Sequence, residues 1–229
     1  MGEMMDPAGL ANLTPNALGA LPHELRTTGL RVVGLLGGIA SGKTLVARQL
    51  AEMGACVLDA DRAGHEVLEQ PDVKRAAAER WGSTILGPDG RIDRRRLAEI
   101  VFAPTAEGVA ERAFLQQLTH PRIARRLVDE AKRRACEGFR VAVLDAPLLL
   151  EAGWDKLCDI LVFVEAPRPL RLARVQARGW STQEFADRES VQASLDVKRL
   201  RADWVIDNSG SPDQTREQLV RLWNRLAGC

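Results

Sequence analysis

The chain has 229 residues, 45% of them hydrophobic and 4% aromatic, and its 32 Lys+Arg against 31 Asp+Glu leave a formal net charge of +1. That length suits one large domain with room for an insertion, and the apolar fraction can fill a core, which excludes global disorder. The balanced charge excludes a whole-molecule basic field for a polynucleotide or an anionic membrane, so any anion has to be gripped locally. No stretch approaches the roughly 18 uncharged apolar residues of a membrane span. The first residues carry Glu3 and Asp6 with no early Lys or Arg, which does not read as a secretory signal. Cys56, Cys136, Cys158 and Cys229 stand apart, with no C-x-x-C pair or metal-spaced histidine, and are expected to be reduced thiols in a cytoplasmic protein.

In chain order, residues 1–29 hold Pro7, Pro15, Pro22 and four glycines without a periodic apolar run. They are expected to form a disordered N-terminal extension, with the folded domain over 30–229. Residues 32–36 are apolar on both faces, as in a strand buried in a parallel sheet, and feed directly into glycines. From Thr44, the helical spacing of Val46, Leu50 and Met53 predicts a helix that Gly54 stops. A short strand at 56–58 ends on Asp59, Ala60, Asp61. Residues 66–137 are charged and helical in pattern, interrupted by Gly87, Pro88, Asp89, Gly90 and by Pro104, and read as a helical insertion between the second and third strands. Further strands are expected at 141–144, 160–164 and 204–206 with helices between them, the alternation of a three-layer α/β fold with a five-stranded parallel sheet. The arginine-rich segment 168–201 opens a helix at Ser181, where Glu184 completes a capping box. Ser211, Pro212 and Gln214 open the last helix, whose apolar face is Leu219, Trp223 and Leu226.

Residues 37–44 read Gly37, Gly38, Ile39, Ala40, Ser41, Gly42, Lys43, Thr44, which satisfies G-x-x-x-x-G-K-[ST] between a buried strand and a helix. In that context successive backbone N–H groups and the helix N-terminus point at phosphates, Lys43 reaches the β- and γ-phosphates, and the Thr44 hydroxyl can ligate Mg²⁺. Such a loop specifies a nucleotide, not a reaction. A guanine-nucleotide switch should carry N-K-x-D or T-K-x-D and a transporter-type ATPase L-S-G-G-Q, and the sequence contains neither. A kinase must exclude water from the γ-phosphate, and the 168–201 segment fits a helical lid.

With these pieces assembled, the chain resembles the dephospho-CoA kinase family over residues 31 to about 226. The resemblance rests on G-G-I-A-S-G-K-T at 37–44, L-D-A-D at 58–61, D-G-R-I-D-R-R-R-L at 89–97, I-V-F at 100–102, L-T-H-P at 118–121, D-A-P-L-L-L-E at 145–151 and A-D-W-V-I-D-N-S-G at 202–210. It implies a P-loop kinase fold, a substrate-binding insertion, a lid, Mg²⁺ with ATP, and phosphorylation of the ribose 3′-hydroxyl of dephospho-CoA. The neighbouring alternative is a kinase of the same fold acting on a nucleoside or nucleoside monophosphate. The family usually has Thr and Gly where this chain has Leu36 and Ala40, and Gln where it has Arg171.

The resemblance also assigns roles. Asp61, after the second strand at the carboxyl edge where open α/β sheets bind ligands, matches the carboxylate that takes the hydroxyl proton, although it could equally cap the helix expected from Arg62. Asp145, ending the third strand, is expected near Mg²⁺ and the substrate. Arg174 and Arg178 match lid arginines; with Arg171 they are spaced i, i+3, i+7, which places all three on one helix face. Lys198 is a weaker candidate for the same job. His120, at an expected helix start before Pro121, is a substrate-binding candidate. Gly38 to Leu45, including Ile39, Ala40, Ser41, Gly42, Lys43 and Thr44, with Asn208 and Gly210, make the expected ATP site.

Overall fold

The computed structural model describes residues 16–190 and 192–227, in two compact units. Of the described residues, the larger holds 22–60, 127–190 and 192–227 and the smaller 61–126 with 16–21. The larger unit is built on five parallel strands, β1 (Arg31–Leu36), β2 (Cys56–Asp59), β3 (Val141–Asp145), β4 (Ile160–Glu165) and β5 (Trp204–Asp207), in the order β2-β3-β1-β4-β5. β1 is therefore central, in register with β3 from Arg31↔Val141 and with β4 from Val33↔Ile160. Its apolar run is buried on both faces, as the sequence pattern requires.

One face of the sheet, through Val33, Leu35, Val143, Val162, Val164 and Ile206, packs on α2 (Lys43–Glu52) and α10 (Pro212–Ala227), which contribute Val46, Leu50, Leu219 and Leu222. On the other face Gly34 leaves room for Cys158, Leu161 and Leu149 to close in. The caps form as read: Ser181 N donates to Glu184 and Glu184 N to Ser181 Oγ before α8 (Thr182–Ser190), and Gln214 N donates to Ser211 Oγ at α10.

The smaller unit is helical. After α3 (Ala60–Leu68), α4 (Pro71–Trp81) and α5 (Arg94–Val101) pack Ala77, Ile85, Ile92, Leu97 and Val101 around the 87–90 turn. Glu111 on α6 (Ala106–Cys136) accepts from Arg80 Nε and Nη2 at 2.9 and 2.7 Å and from Trp81 Nε1 at 2.8 Å, which pins α4 to α6.

Three expectations are corrected. Residues 16–29 are not outside the fold: α1 (Asn16–Arg26) buries Leu21 and Leu25, one helical turn apart, Leu30 follows them inside, and Glu24 pairs with Lys132 at 2.6 Å. The expected disorder of residues 1–15 lies outside the described residues, as does Cys229. Pro121 does not begin a helix; it lies inside α6, whose burial of Leu118, Ile123, Ala124, Leu127 and Val128 outweighs the one backbone hydrogen bond proline removes. Finally, α7 (Arg168–Gln176) ends before Arg178. Gly179, at φ 84, takes the left-handed turn that terminates it, and Trp180 N closes back on Val175 O.

Candidate functional site

β1 delivers the phosphate loop to the carboxyl edge of the sheet, between the ends of β3 and β4, and α2 begins at Lys43. Gly42 takes φ 105, and a Cβ on it would fall 1.9 Å from Asn208 Nδ2, so the motif's second glycine is required by both backbone and packing. Lys43 Nζ donates to Gly37 O at 3.2 Å and Gly38 O at 3.1 Å. Burial pushes its ammonium down to about 8, only partly countered by the Asp145 carboxylate and reinforced by the positive charges of Lys198 and Arg171. Thr44 is exposed at the first turn of α2, with Leu45 partly buried behind it. Asp145, at the last position of β3, is half-buried and stands opposite Asp59 in the β2–β3 register.

The protein side of the loop is held by side chains from distant segments. Arg174 Nη1 donates to Ala40 O at 3.1 Å and Ser41 O at 3.2 Å, and its Nη2 to Asn208 O at 2.9 Å. Burial holds this guanidinium below the usual arginine range, and the nearby charge of Arg178 adds to the effect. Asn208, buried, donates from Nδ2 to Ser41 O at 2.7 Å and accepts at Oδ1 from Thr215 Oγ1 at 2.9 Å. This residue of the expected ATP site thus commits both ends of its side-chain amide to protein. Gly210 is exposed in the turn before α10. Within the clamp, Ala40 takes φ 57, the left-handed region, as the one such non-glycine residue among those described.

A planar trans peptide points its carbonyl and the following N–H in opposite directions. Holding Ser41 O from the protein side therefore turns the Gly42 amide to the open side, where the N-terminus of α2 adds its partial positive charge. The arrangement is an anion cradle whose hydrogen-bond donors are oriented before any ligand arrives.

Arg178 is exposed in the turn after α7, beside Arg174 but off the helix face expected to carry it. Lys198, expected as a lid cation, is buried, donating to Gln192 Oε1 at 2.9 Å and paired with Glu151 at 3.5 Å. Thr215 and Glu189 stand in helices of ordinary composition and carry no sequence signal, and Glu151, which closes the 145–151 motif, takes no role from it. In the smaller unit, Asp61 sits exposed in the first turn of α3, not at its cap, because the helix begins at Ala60, two residues before the expected Arg62. His120 is partly buried within α6, and desolvation holds its pKa below the usual histidine value. Among the described residues no group of three or more His, Cys, Asp or Glu could hold a metal ion by itself.

Residues 31–214 match the model of the dephospho-CoA kinase family. The chain is 38% identical over 201 residues to the dephospho-CoA kinase of Symbiobacterium thermophilum, covering 87% of this chain and 82% of that one. It is 40% identical over 200 residues to the dephospho-CoA kinase of Bacillus licheniformis, covering 85% and 98%. The crystal structure of TT1252 from Thermus thermophilus matches with a TM-score of 0.74 and 32% identity, over 86% of this chain and 97% of that one.

Proposed function

The chain belongs to the dephospho-CoA kinase family, and on that premise we propose how its own residues carry out the reaction. The activity is ATP-dependent phosphorylation of the ribose 3′-hydroxyl of dephospho-CoA, giving coenzyme A. The bond between the γ-phosphorus and the β–γ bridging oxygen breaks, a bond from the 3′-oxygen to that phosphorus forms, ADP leaves, and the hydroxyl proton goes to a base.

Asp61 is that base, or the group that holds the hydroxyl in line. Support comes from its place two residues beyond the carboxyl end of β2 and from its match to the family motif at 58–61. Lys43, the loop amides and the N-terminus of α2 receive the charge that spreads over the transferring phosphoryl. Arg178, exposed in the turn after α7, supplies a further cation, while Arg174 keeps the loop carbonyls turned away from the nucleotide. The helices over 168–201 act as the lid that excludes water, and the insertion, with His120, holds dephospho-CoA. Gly210 borders the nucleotide base.

A carboxylate and a free hydroxyl without a protein cage suit a divalent ion that arrives on the triphosphate, because Mg²⁺ keeps most of its shell from phosphate and water. Thr44 and Asp145 would hold Mg²⁺, which there would neutralise the β- and γ-oxygens. No helix among the described residues is long and apolar enough to cross a membrane, and Cys56, Cys136 and Cys158 are free thiols, which supports a place in the cytoplasm.

The observation that carries this reading is the glycine loop leaving the central strand with its carbonyls held from the protein side. The protein is incubated with Mg-ATP and dephospho-CoA, adenosine, AMP or CMP in parallel, and transfer to dephospho-CoA alone is expected. Transfer to a nucleoside or nucleotide without transfer to dephospho-CoA overturns it. For Asp61→Asn, nearly isosteric but unable to take a proton at neutral pH, turnover is expected to fall about 10²- to 10⁴-fold with both KM values little changed. A loss below tenfold removes the base role.

A further inference from the structure

One charged side chain near the loop has no part in the proposed reaction. Arg171 on α7 is only 2% exposed, and a guanidinium taken out of water is costly unless its donors are met. It reaches three segments. Nε donates to Ala166 O, just past β4, at 3.2 Å; Nη1 donates to Glu189 Oε1 on α8 at 2.7 Å and reaches Ile39 O in the loop at 3.4 Å. The guanidinium also lies 5.4 Å from the ring centre of Phe185, a wholly buried residue of α8. Gly38 makes room for it, since a Cβ there would fall 2.6 Å from Nη1.

We infer that Arg171 is a positioning residue for the phosphate loop, held in its working orientation by Glu189, and that the pair couples α8 to the Ile39–Ala40 peptide. The inference rests on the loop being the ATP cradle. Holding Ile39 O from the protein side turns the Ala40 amide to the open side, by the same planarity that orients Gly42. With Arg174 on Ala40 O and Ser41 O, two arginines hold three successive carbonyls. The Ile39 contact is long and weak by itself, so its direction depends on what fixes the guanidinium. The 2.7 Å charge-assisted bond to Glu189 is the strongest such constraint. Glu189 therefore acts on the loop through Arg171. Arg168 also pairs with Glu189, at 3.4 Å, and stacks on Phe185, so α8 keeps a partner when Arg171 is replaced.

The test compares wild type, Arg171→Gln, Arg171→Lys, Glu189→Gln and the double variant Arg171→Gln/Glu189→Gln. Steady-state KM is measured for both substrates, with calorimetric binding of a non-hydrolysable ATP analogue carrying a β–γ imido bridge. In Arg171→Gln the ATP KM and the analogue Kd are expected to rise about tenfold, the size of one lost charge-assisted hydrogen bond, with the dephospho-CoA KM within about twofold. Glu189→Gln is expected to raise the same two constants about threefold. Arg171→Lys should recover part of the loss, as a point charge without the fork. The double variant should be no worse than Arg171→Gln, because the two side chains act in series. The inference is overturned if the ATP constants stay unchanged, if both substrates' KM values rise together, or if the two losses add. Should Arg171→Gln fail to fold, Glu189→Gln decides alone. Wild type binding the analogue beside unaffected variants defeats this inference only; wild type failing to bind it defeats the cradle reading as well.

Discussion

On the side of the phosphate loop open to a nucleotide stand Lys43, tethered by nothing stronger than two loop carbonyls at 3.1 and 3.2 Å, and the exposed Thr44. On the protein side stand Arg171, Arg174 and Asn208, each committed to several partners and drawn from α7 and the β5–α10 turn. The open side is contiguous in sequence because a strand, a turn and a helix suffice to bring it together. The held side is tertiary, and it makes the cradle stiff, so that little reorganisation is left for ATP to drive on binding. On the proposed reading the motif supplies the groups that meet the phosphates, and the rest of the fold supplies the contacts that hold them.

If the two sides divide the work in this way, their variants should fail differently. Lys43→Ala removes one preorganised cation, and turnover should drop about 10²- to 10³-fold. The thermal melt should not fall, because burial disfavours this ammonium in the folded chain and its removal takes away no support for folding. Near-normal turnover would show that the loop is structural. Asn208→Ala strips the shorter of two acceptors from Thr215 Oγ1, leaving Ser211 O at 3.3 Å, and one donor from Ser41 O inside the protein. Unsatisfied groups of that kind cost about 1–3 kcal/mol, which at this chain length is a melting temperature lower by roughly 2–12 °C. The ATP KM should rise with it. An Asn208→Ala protein with wild-type stability and ATP KM would erase the distinction between the two sides.

The sequence carried these two sides unequally. The central strand, the phosphate loop and α2 were legible because doubly buried β1 and the 37–44 motif are local patterns, and the capping pairs at Ser181 and Ser211 are equally local. What failed was wherever a tertiary contact outvotes a local rule. α1 escaped notice because its buried positions, Leu21 and Leu25, amount to one turn beside Pro22. α6 runs through Pro121 on the strength of buried residues before and after it. The arginine spacing places Arg178 on the helix face although Gly179, an ordinary helix stop, follows it directly and α7 ends two residues before Arg178. Nothing in the string distinguishes Arg171, 2% exposed, from Arg178, which is exposed; the difference is which of them the end of β4 and α8 enclose.

A smaller effect separates the empty from the occupied cradle. Lys43 titrates at about 8 in the folded protein against an ordinary 10.5. Between those values the unfolded chain binds more protons, so this group's contribution to stability rises with pH. Its contribution to function runs the other way, because the ammonium is the useful form. Above pH about 8, kcat/KM for ATP should fall by about tenfold per unit, as expected of a group titrating in the free enzyme. Bound polyphosphate favours the charged form, so the fall in kcat should begin at higher pH. Lys43→Arg should lose the limb altogether, since a guanidinium stays charged. A limb that persists in Lys43→Arg belongs to some other group.

The smallest expected effect lies at Ala40, where the held side imposes on the backbone. At φ 57, with Arg174 on its carbonyl, it adopts a conformation that costs an L-residue about 1–2 kcal/mol. Ala40→Gly relieves that cost but gives the unfolded chain more freedom, worth about 0.4–1 kcal/mol against folding. The balance favours the variant by roughly 0.5–1 kcal/mol, read as a higher denaturant midpoint at unchanged slope. If the clamp imposes the conformation, the gain should shrink when Ala40→Gly is made in an Arg174→Ala background, because a released carbonyl lets Ala40 relax. An equal gain in both backgrounds would mean that the turn between β1 and α2 sets this angle by itself, and that the arginines hold a loop already shaped without them.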